Sequence, residues 1–208
     1  QFTGLSFHAA KLTFPASAHS KENAMSRLTI PSLDATLPAA QPLLDSVKAQ
    51  LGSVPNLFRL IGSSPAALEG FLGLSGALGR TLDIKTRNRI ALATAQMSGC
   101  DYCLSAHSYL GTHLAKLDAS EMAANRQGHS QDPRADAALV FARKVAETRG
   151  KVSDADIATV RMAGFSDAQV IEIVANVALN VLTNMVNKLN HGLDLGNKWG
   201  ASYPLEAF

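Results

Sequence analysis

The chain holds two cysteines, three positions apart, and a histidine follows four positions after the second: Cys100-Asp101-Tyr102-Cys103-Leu104-Ser105-Ala106-His107. On a helix advancing about 100° per residue, Cys103 lies roughly 60° from Cys100 and His107 roughly 40° from Cys103, so the three share one face. Ser98 and Gly99 break the preceding helical run and place Cys100 at the start of a new helix. There the macrodipole and the free N–H groups favour a thiolate over a thiol. A histidine one turn on can accept or share the thiol proton, and in its charged form would stabilise the thiolate further. Such a thiolate attacks an electrophile, and the second cysteine resolves the product. With a hydroperoxide the sequence is thiolate, sulfenic acid, then disulfide.

Other readings of the same residues compete. A structural zinc site wants four ligands, whereas the motif supplies three from one helix and would need His113 or a remote residue. No second Cys-x-x-Cys pair exists to complete such a site. Two buried small hydrophobes would be chemically inert, and His107 alone would be an ordinary core histidine. A general thiol-disulfide oxidoreductase or redox sensor would use the same two cysteines on a protein disulfide.

The rest of the composition narrows the setting. The 208 residues are 47% hydrophobic and 17% charged with a formal net charge of +2, which excludes a disordered or polyelectrolyte chain. So balanced a charge offers no electrostatic footprint for nucleic acid. A single close cysteine pair is the wrong arithmetic for a secreted disulfide scaffold, so a cytoplasmic protein is expected. The longest apolar stretch, Val170 to Leu189, is interrupted by Glu172, Asn176, Asn180, Thr183, Asn184, Asn187 and Lys188. It reads as too polar for a bilayer span, and no membrane partner is expected.

The elements that must position the motif are helices. Ser64-Pro65 and Asp132-Pro133 mark helix starts, and Asp118 with Glu121, Ser153 with Asp156 and Ser166 with Gln169 have capping-box spacing. The punctuation predicts nine helices, near 41–51, 55–62, 65–78, 83–97, 99–114, 118–126, 133–149, 153–163 and 166–190, and no segment alternates as a strand would. In the last, Val170, Val174, Val177, Val181 and Met185, widened by Ile171, Ala178, Leu182 and Leu189, read as the buried face. Glu172, Asn176, Asn180 and Asn187 form the opposite stripe, and the asparagines at 180, 184 and 187 read as the ordinary solvent side, with a polar cavity or a subunit contact as the alternatives. Residues 1–24, ahead of Met25-Ser26-Arg27, carry no helical period and read as a disordered or processed extension. Residues 25–191 form the helical domain and 192–208 a C-terminal tail.

The run Thr86-Arg87-Asn88-Arg89-Ile90-Ala91-Leu92, the Cys100–His107 motif, the earlier Val54-Pro55-Asn56-Leu57-Phe58 and the later Leu179-Asn180-Val181-Leu182-Thr183-Asn184 resemble the carboxymuconolactone decarboxylase superfamily. The closer resemblance is to its alkylhydroperoxidase D-like, peroxidase-related branch, over about residues 27–190. It implies an all-α, single-domain helical bundle, assembly into a homo-oligomer such as a trimer or hexamer, and no metal or organic cofactor. It also implies hydroperoxide reduction driven by a dithiol carrier such as a lipoyl domain or thioredoxin-like protein. Carried onto this chain, the pattern makes Cys103 the attacking thiol, Cys100 the resolving thiol and His107 their acid–base partner. A non-redox, decarboxylase-like member is the remaining alternative, although such members generally lack the cysteine pair.

Two positions depart from that pattern. A glutamate twelve residues before the first cysteine is replaced by Asn88, and a histidine between the cysteines by Tyr102. An amide exchanges no proton near neutral pH, so at the relay position Asn88 can only orient a water or His107. Oligomerisation has a physical basis besides the resemblance: nine helices with broad apolar faces and few charges leave more apolar surface than one chain of this size hides.

Overall fold

Capping side chains start the helices where the sequence places them. In the computed structural model, which describes residues 27–190, Asp83 accepts from the Thr86 N–H and opens α4 (Ile84–Ser98). Asp132 accepts from the N–H groups of Arg134 and Ala135 ahead of α7 (Pro133–Thr148), whose first residue is proline. Full capping boxes, Ser153 with Asp156 and Ser166 with Gln169, open α8 (Asp154–Met162) and α9 (Asp167–Leu189). Asp118 caps α6 (Ala119–Arg126) by accepting from the Glu121 N–H. There the expected box is only half formed, because the Glu121 carboxylate turns inward to Arg89. The remaining helices are α1 (Gln41–Leu51), α2 (Asn56–Ile61), α3 (Pro65–Leu78) and α5 (Asp101–Leu110), with a 3-10 turn at Leu33–Ala35. No strand occurs among the described residues. The sequence readings of 1–24 and 192–208 lie outside them.

The chain divides within α3 into two compact units, one ending at Phe71 and the other beginning at Leu72. In the first, Arg59 donates to the Pro31 carbonyl at 2.7 Å and to Asn56 Oδ1 at 2.9 Å, and the Phe58 and Phe71 rings meet edge to face.

The second unit is organised round α4. Thr86 and every residue from Asn88 to Ala95 are buried, the mark of a helix covered on all sides; α5, α6, α7 and α9 pack against it. One apolar cluster joins Leu82 and Ile90 to Leu139, Phe141 and Val145 of α7, Val160 of α8, and Val170, Ile173 and Val177 of α9. A second contains Leu92, Ala95, Cys100, Cys103, Leu104, Ala115, Leu117 and Met122. The cysteine pair is thus part of a hydrophobic core.

Two elements differ from the sequence reading. The helix expected over 99–114 runs only from Asp101 to Leu110 and continues as a π turn over Gly111–Ala115, closed by Lys116 at φ +54°. A Cβ on Gly111 would lie 2.8 Å from both Asn88 Nδ2 and Met122 Sδ, so the bare glycine is what lets α4 and α6 approach the end of α5.

The other correction concerns the orientation of α9. Asn176, Asn180, Asn184 and Asn187 are buried, while Ile171, Val174, Leu182, Met185 and Leu189 are exposed. The inward face begins as Val170, Ile173 and Val177 and becomes amide further along. Asn176 and Asn180 satisfy their amides locally, donating to the carbonyls of Glu172 and Asn176 at 2.8 Å each, which lowers the cost of burying them. By length and mean hydropathy (1.4) α9 would qualify as a bilayer span, contrary to the sequence reading. Its polar face is packed against α4 and α5 instead of being presented outward.

Candidate active site

Gly99 ends α4 in the left-handed conformation, φ +57°, and the Cys100 N–H closes back onto the Ala95 carbonyl at 3.0 Å. This is the geometry a C-terminal glycine permits. It delivers Cys100 as the N-cap of α5 and Cys103 one turn in. The C-terminal part of α9 ties this junction down. Lys188 Nζ donates to the Ser98 carbonyl at 2.6 Å, relieving an orphan acceptor at the end of α4, and Asn184 Nδ2 donates to Ser98 Oγ at 3.2 Å.

Cys100 and Cys103 are joined in a disulfide, with Cα atoms 5.3 Å apart. Both are nearly inaccessible. Each sulfur accepts from an N–H group. Cys100 Sγ accepts from the backbone N–H of Cys103 at 3.3 Å, taking one of the orphan donors of the helix start. Cys103 Sγ accepts from the side-chain amide of Asn187 at 3.3 Å. The dipole end of α5 therefore serves Cys100, and a side chain from α9 serves Cys103.

His107 stands one turn further along α5 and is held by Asn88. Asn88 Nδ2 donates to the His107 carbonyl at 3.1 Å, which fixes the amide's orientation and turns its Oδ1 toward His107 Nδ1, 3.4 Å away. With Oδ1 as acceptor, Nδ1 carries the proton and Nε2 is left with its lone pair. The ring keeps a little accessible surface, yet enough protein surrounds it for burial to push its pKa from 6.5 down to about 4. At neutral pH His107 is uncharged, an acceptor for a thiol proton. The imidazolium that the sequence reading allowed is not its resting state.

Glu121, at the α6 end of the same core, collects four bonds: from Arg89 at 2.7 Å, Asn125 at 2.9 Å, Ser130 Oγ at 2.6 Å and the Gln131 N–H at 2.9 Å. Burial alone would raise its pKa, but these donors outweigh it and hold the carboxyl below its ordinary value. A surface cavity of about 280 Å³ beside this pair is lined by Lys85, Arg89, Lys116, Leu117, Asp118, Glu121, Gln131 and Asp132. It includes neither cysteine nor His107. With cations and carboxylates interleaved, it presents no single sign of charge.

The structure thus places the three sequence-selected residues, Cys100, Cys103 and His107, along α5, and of the two roles expected for Asn88, orienting a water or His107, it shows the contact with His107. Sequence reasoning put Asn187 on the solvent side, with a polar cavity as an alternative, and did not connect it with Cys103. Its signal was present: asparagines at helical spacing in an otherwise apolar helix, which also fits a buried amide face.

Fold and site together define an all-helical protein with a core dithiol–disulfide centre at a helix start. A model of the carboxymuconolactone decarboxylase family matches residues 65–148. A peroxidase-related protein from Ralstonia eutropha JMP134, described as an alkylhydroperoxidase AhpD core, is 30% identical, with 80% of this chain and 90% of that one covered at a TM-score of 0.69. A peroxidase-related protein from Silicibacter sp. TM1040 is 23% identical over 84% and 94% at 0.71. A cysteine-to-alanine variant of the debrominase Bmp8 in complex with 2,3,4-tribromopyrrole is 22% identical over 78% and 90% at 0.62. No curated protein matches the sequence. The chain belongs to the carboxymuconolactone decarboxylase family, in its alkylhydroperoxidase D-like branch.

Proposed function

We propose that this protein reduces hydroperoxides through a Cys100–Cys103 dithiol cycle. The observation that supports this most is the redox-competent pair itself: two cysteines close enough to form a disulfide, at a helix start inside an apolar core, with a neutral histidine base one turn on. Resemblance to a peroxidase-related relative at 30% identity points the same way.

In the cycle the Cys103 thiolate attacks the terminal oxygen of ROOH. An S–O bond forms and the O–O bond breaks; the thiol's proton, held by His107, goes to the departing alkoxide to give ROH. Cys100 then attacks the sulfenic sulfur, releasing water and leaving the disulfide. A dithiol carrier, such as a lipoyl domain or thioredoxin-like protein, supplies two electrons and two protons by exchange and is itself oxidised to a disulfide. The cytoplasm is the compartment that keeps such a carrier reduced. A homo-oligomer is part of the same reading, supported by the exposed apolar row along α9.

The test is the rate at which the fully reduced protein forms the Cys100–Cys103 disulfide with an organic hydroperoxide, measured against Cys103→Ser and a free model thiol. Formation much faster than the model thiol, abolished in Cys103→Ser, supports the reading. A rate no faster than a free thiol overturns it and moves the site to disulfide exchange or a non-redox role.

A further inference from the structure

Asn187 is 1% exposed, and its two amide ends are treated differently. Nδ2 donates to Cys103 Sγ, while Oδ1 has no hydrogen-bond partner among the described residues. A buried carbonyl without a donor is a net cost to the fold, since it gives up its bond to water and gains none. A disulfide sulfur is a weak, neutral acceptor that repays little of this. An isosteric leucine would pack the same space with neither penalty. As a stabilising side chain, asparagine is a poor choice here.

The choice makes sense once Cys103 is reduced. An N–H aimed at a thiolate becomes a charge-assisted bond, roughly twice as strong as a neutral one. His107 rests neutral with Nδ1 turned to Asn88, so its Nε2 lone pair can take the thiol proton but donates nothing to the sulfur; the Cys103 N–H serves Cys100 Sγ and Lys188 is on the Ser98 carbonyl. Asp101 is exposed on the first turn of α5.

We propose that Asn187 is a catalytic residue of the dithiol site, its side-chain N–H holding Cys103 as the thiolate. The same bond acts twice. It activates Cys103 as the nucleophile, and it stabilises Cys103 as the leaving thiolate when a reductant attacks Cys100 and the S–S electron pair passes to Cys103. This assigns the two cysteines different roles by a contact that spacing on α5 does not contain. The proposal rests on the hydroperoxidase reading only for the identity of the electrophile.

The test separates the two. Reduced protein is alkylated with iodoacetamide across pH 5–10, and modification of Cys103 is followed by peptide mass spectrometry in wild type, Asn187→Leu and Asn187→Asp. The expected result is a Cys103 thiol pKa about one unit higher in Asn187→Leu, with alkylation at pH 7 about ten-fold slower. A larger rise is expected in Asn187→Asp, where a carboxylate faces the sulfur. The oxidised Asn187→Leu protein should melt no lower than wild type, since the unpaired carbonyl is gone. A Cys103 profile in both variants that superimposes on wild type overturns the proposal. If wild-type protein reacts with hydroperoxide no faster than a model thiol, the hydroperoxidase reading fails, while the alkylation comparison still decides the role of Asn187.

Discussion

Asn88 grips His107 at two points, donating to its main-chain carbonyl at 3.1 Å and presenting Oδ1 to its ring nitrogen at 3.4 Å. One carboxamide thus sets the ring's position and its tautomer without exchanging a proton. The consequence is a base oriented by an amide, where a carboxylate would both orient it and raise its basicity.

Replacing Asn88 tests this division of labour. Asn88→Ala removes both contacts, and peroxide-driven disulfide formation should fall about ten-fold as the ring loses its fixed orientation. Asn88→Glu puts a negative charge beside Nδ1, should raise the His107 pKa by about one to three units, and should speed the reaction near neutral pH. Stopped-flow rates with an organic hydroperoxide measure both, and a rate in Asn88→Glu equal to wild type would show that the missing carboxylate does not limit the thiol.

His107 also makes a pH prediction. Its folded pKa of about 4 lies below the unfolded value of 6.5, so folding excludes a proton. Above pH 6.5 the group is neutral in both states and its contribution to stability is fully present. As the pH falls from 6.5 toward 4 the unfolded chain takes up a proton that the folded one refuses, and stability is lost. The whole loss is on the order of 3 kcal/mol. Urea unfolding at pH 7, 5.5 and 4.5 should show a decline that flattens in His107→Gln. The carboxyl of Asp156, held at about 2 by Lys144, responds only in stronger acid.

Much of this was legible in the sequence. Helix starts announce themselves because an orphan N–H needs a nearby oxygen, and Asp83, Asp132, Ser153 and Ser166 supply it within three residues. The cysteine motif was legible for the same reason, since its three residues lie on one local helix. Their partners were less so: Asn88 came into view only through the family resemblance, and Asn184 and Asn187 reach α5 and its junction across separations of 86 and 84 positions, contacts that no local period encodes. Hydrophobic patterning also misassigned α9, because an outward apolar row and an inward amide row have the same period as the reverse arrangement.

Gly111 should tolerate no side chain. Its backbone is right-handed at φ −55°, so alanine costs nothing in conformation. The added Cβ would meet Asn88 Nδ2 and Met122 Sδ at 2.8 Å. Gly111→Ala should therefore lose about 1–3 kcal/mol by overpacking and slow peroxide reduction by displacing Asn88 from His107. Chemical denaturation and the peroxide rate, measured on the same sample, test the two effects together; loss of stability with an unchanged rate would mean that Asn88 keeps its place.

The Arg89–Glu121 pair should be costly to break from one side. Both side chains are buried, 2.7 Å apart, so Glu121→Ala leaves a guanidinium without its counter-charge and strands Ser130 and Asn125 as donors. A loss of about 3–5 kcal/mol is expected, whereas the joint replacement Arg89→Met with Glu121→Leu should recover most of it. Thermal unfolding of the three proteins decides this. An alanine variant as stable as wild type would mean that water reaches and solvates Arg89.

The exposed row on α9 bears on assembly. Ile171, Leu182, Met185 and Leu189 are 67%, 45%, 64% and 52% exposed, and at about 1.5 Å per residue they mark a line of roughly 27 Å. The amide face of the same helix is turned inward, so this apolar face is what α9 offers to a second copy. Leu182→Glu with Met185→Glu should leave the single chain's core untouched, because neither residue is buried in it. Sedimentation should give a wild-type mass several times the 21.9 kDa of one chain and a mass near one chain for the double variant. A wild-type monomer at micromolar concentration would remove the oligomer from the proposed reading. An unchanged oligomer in the variant would place the interface on another face.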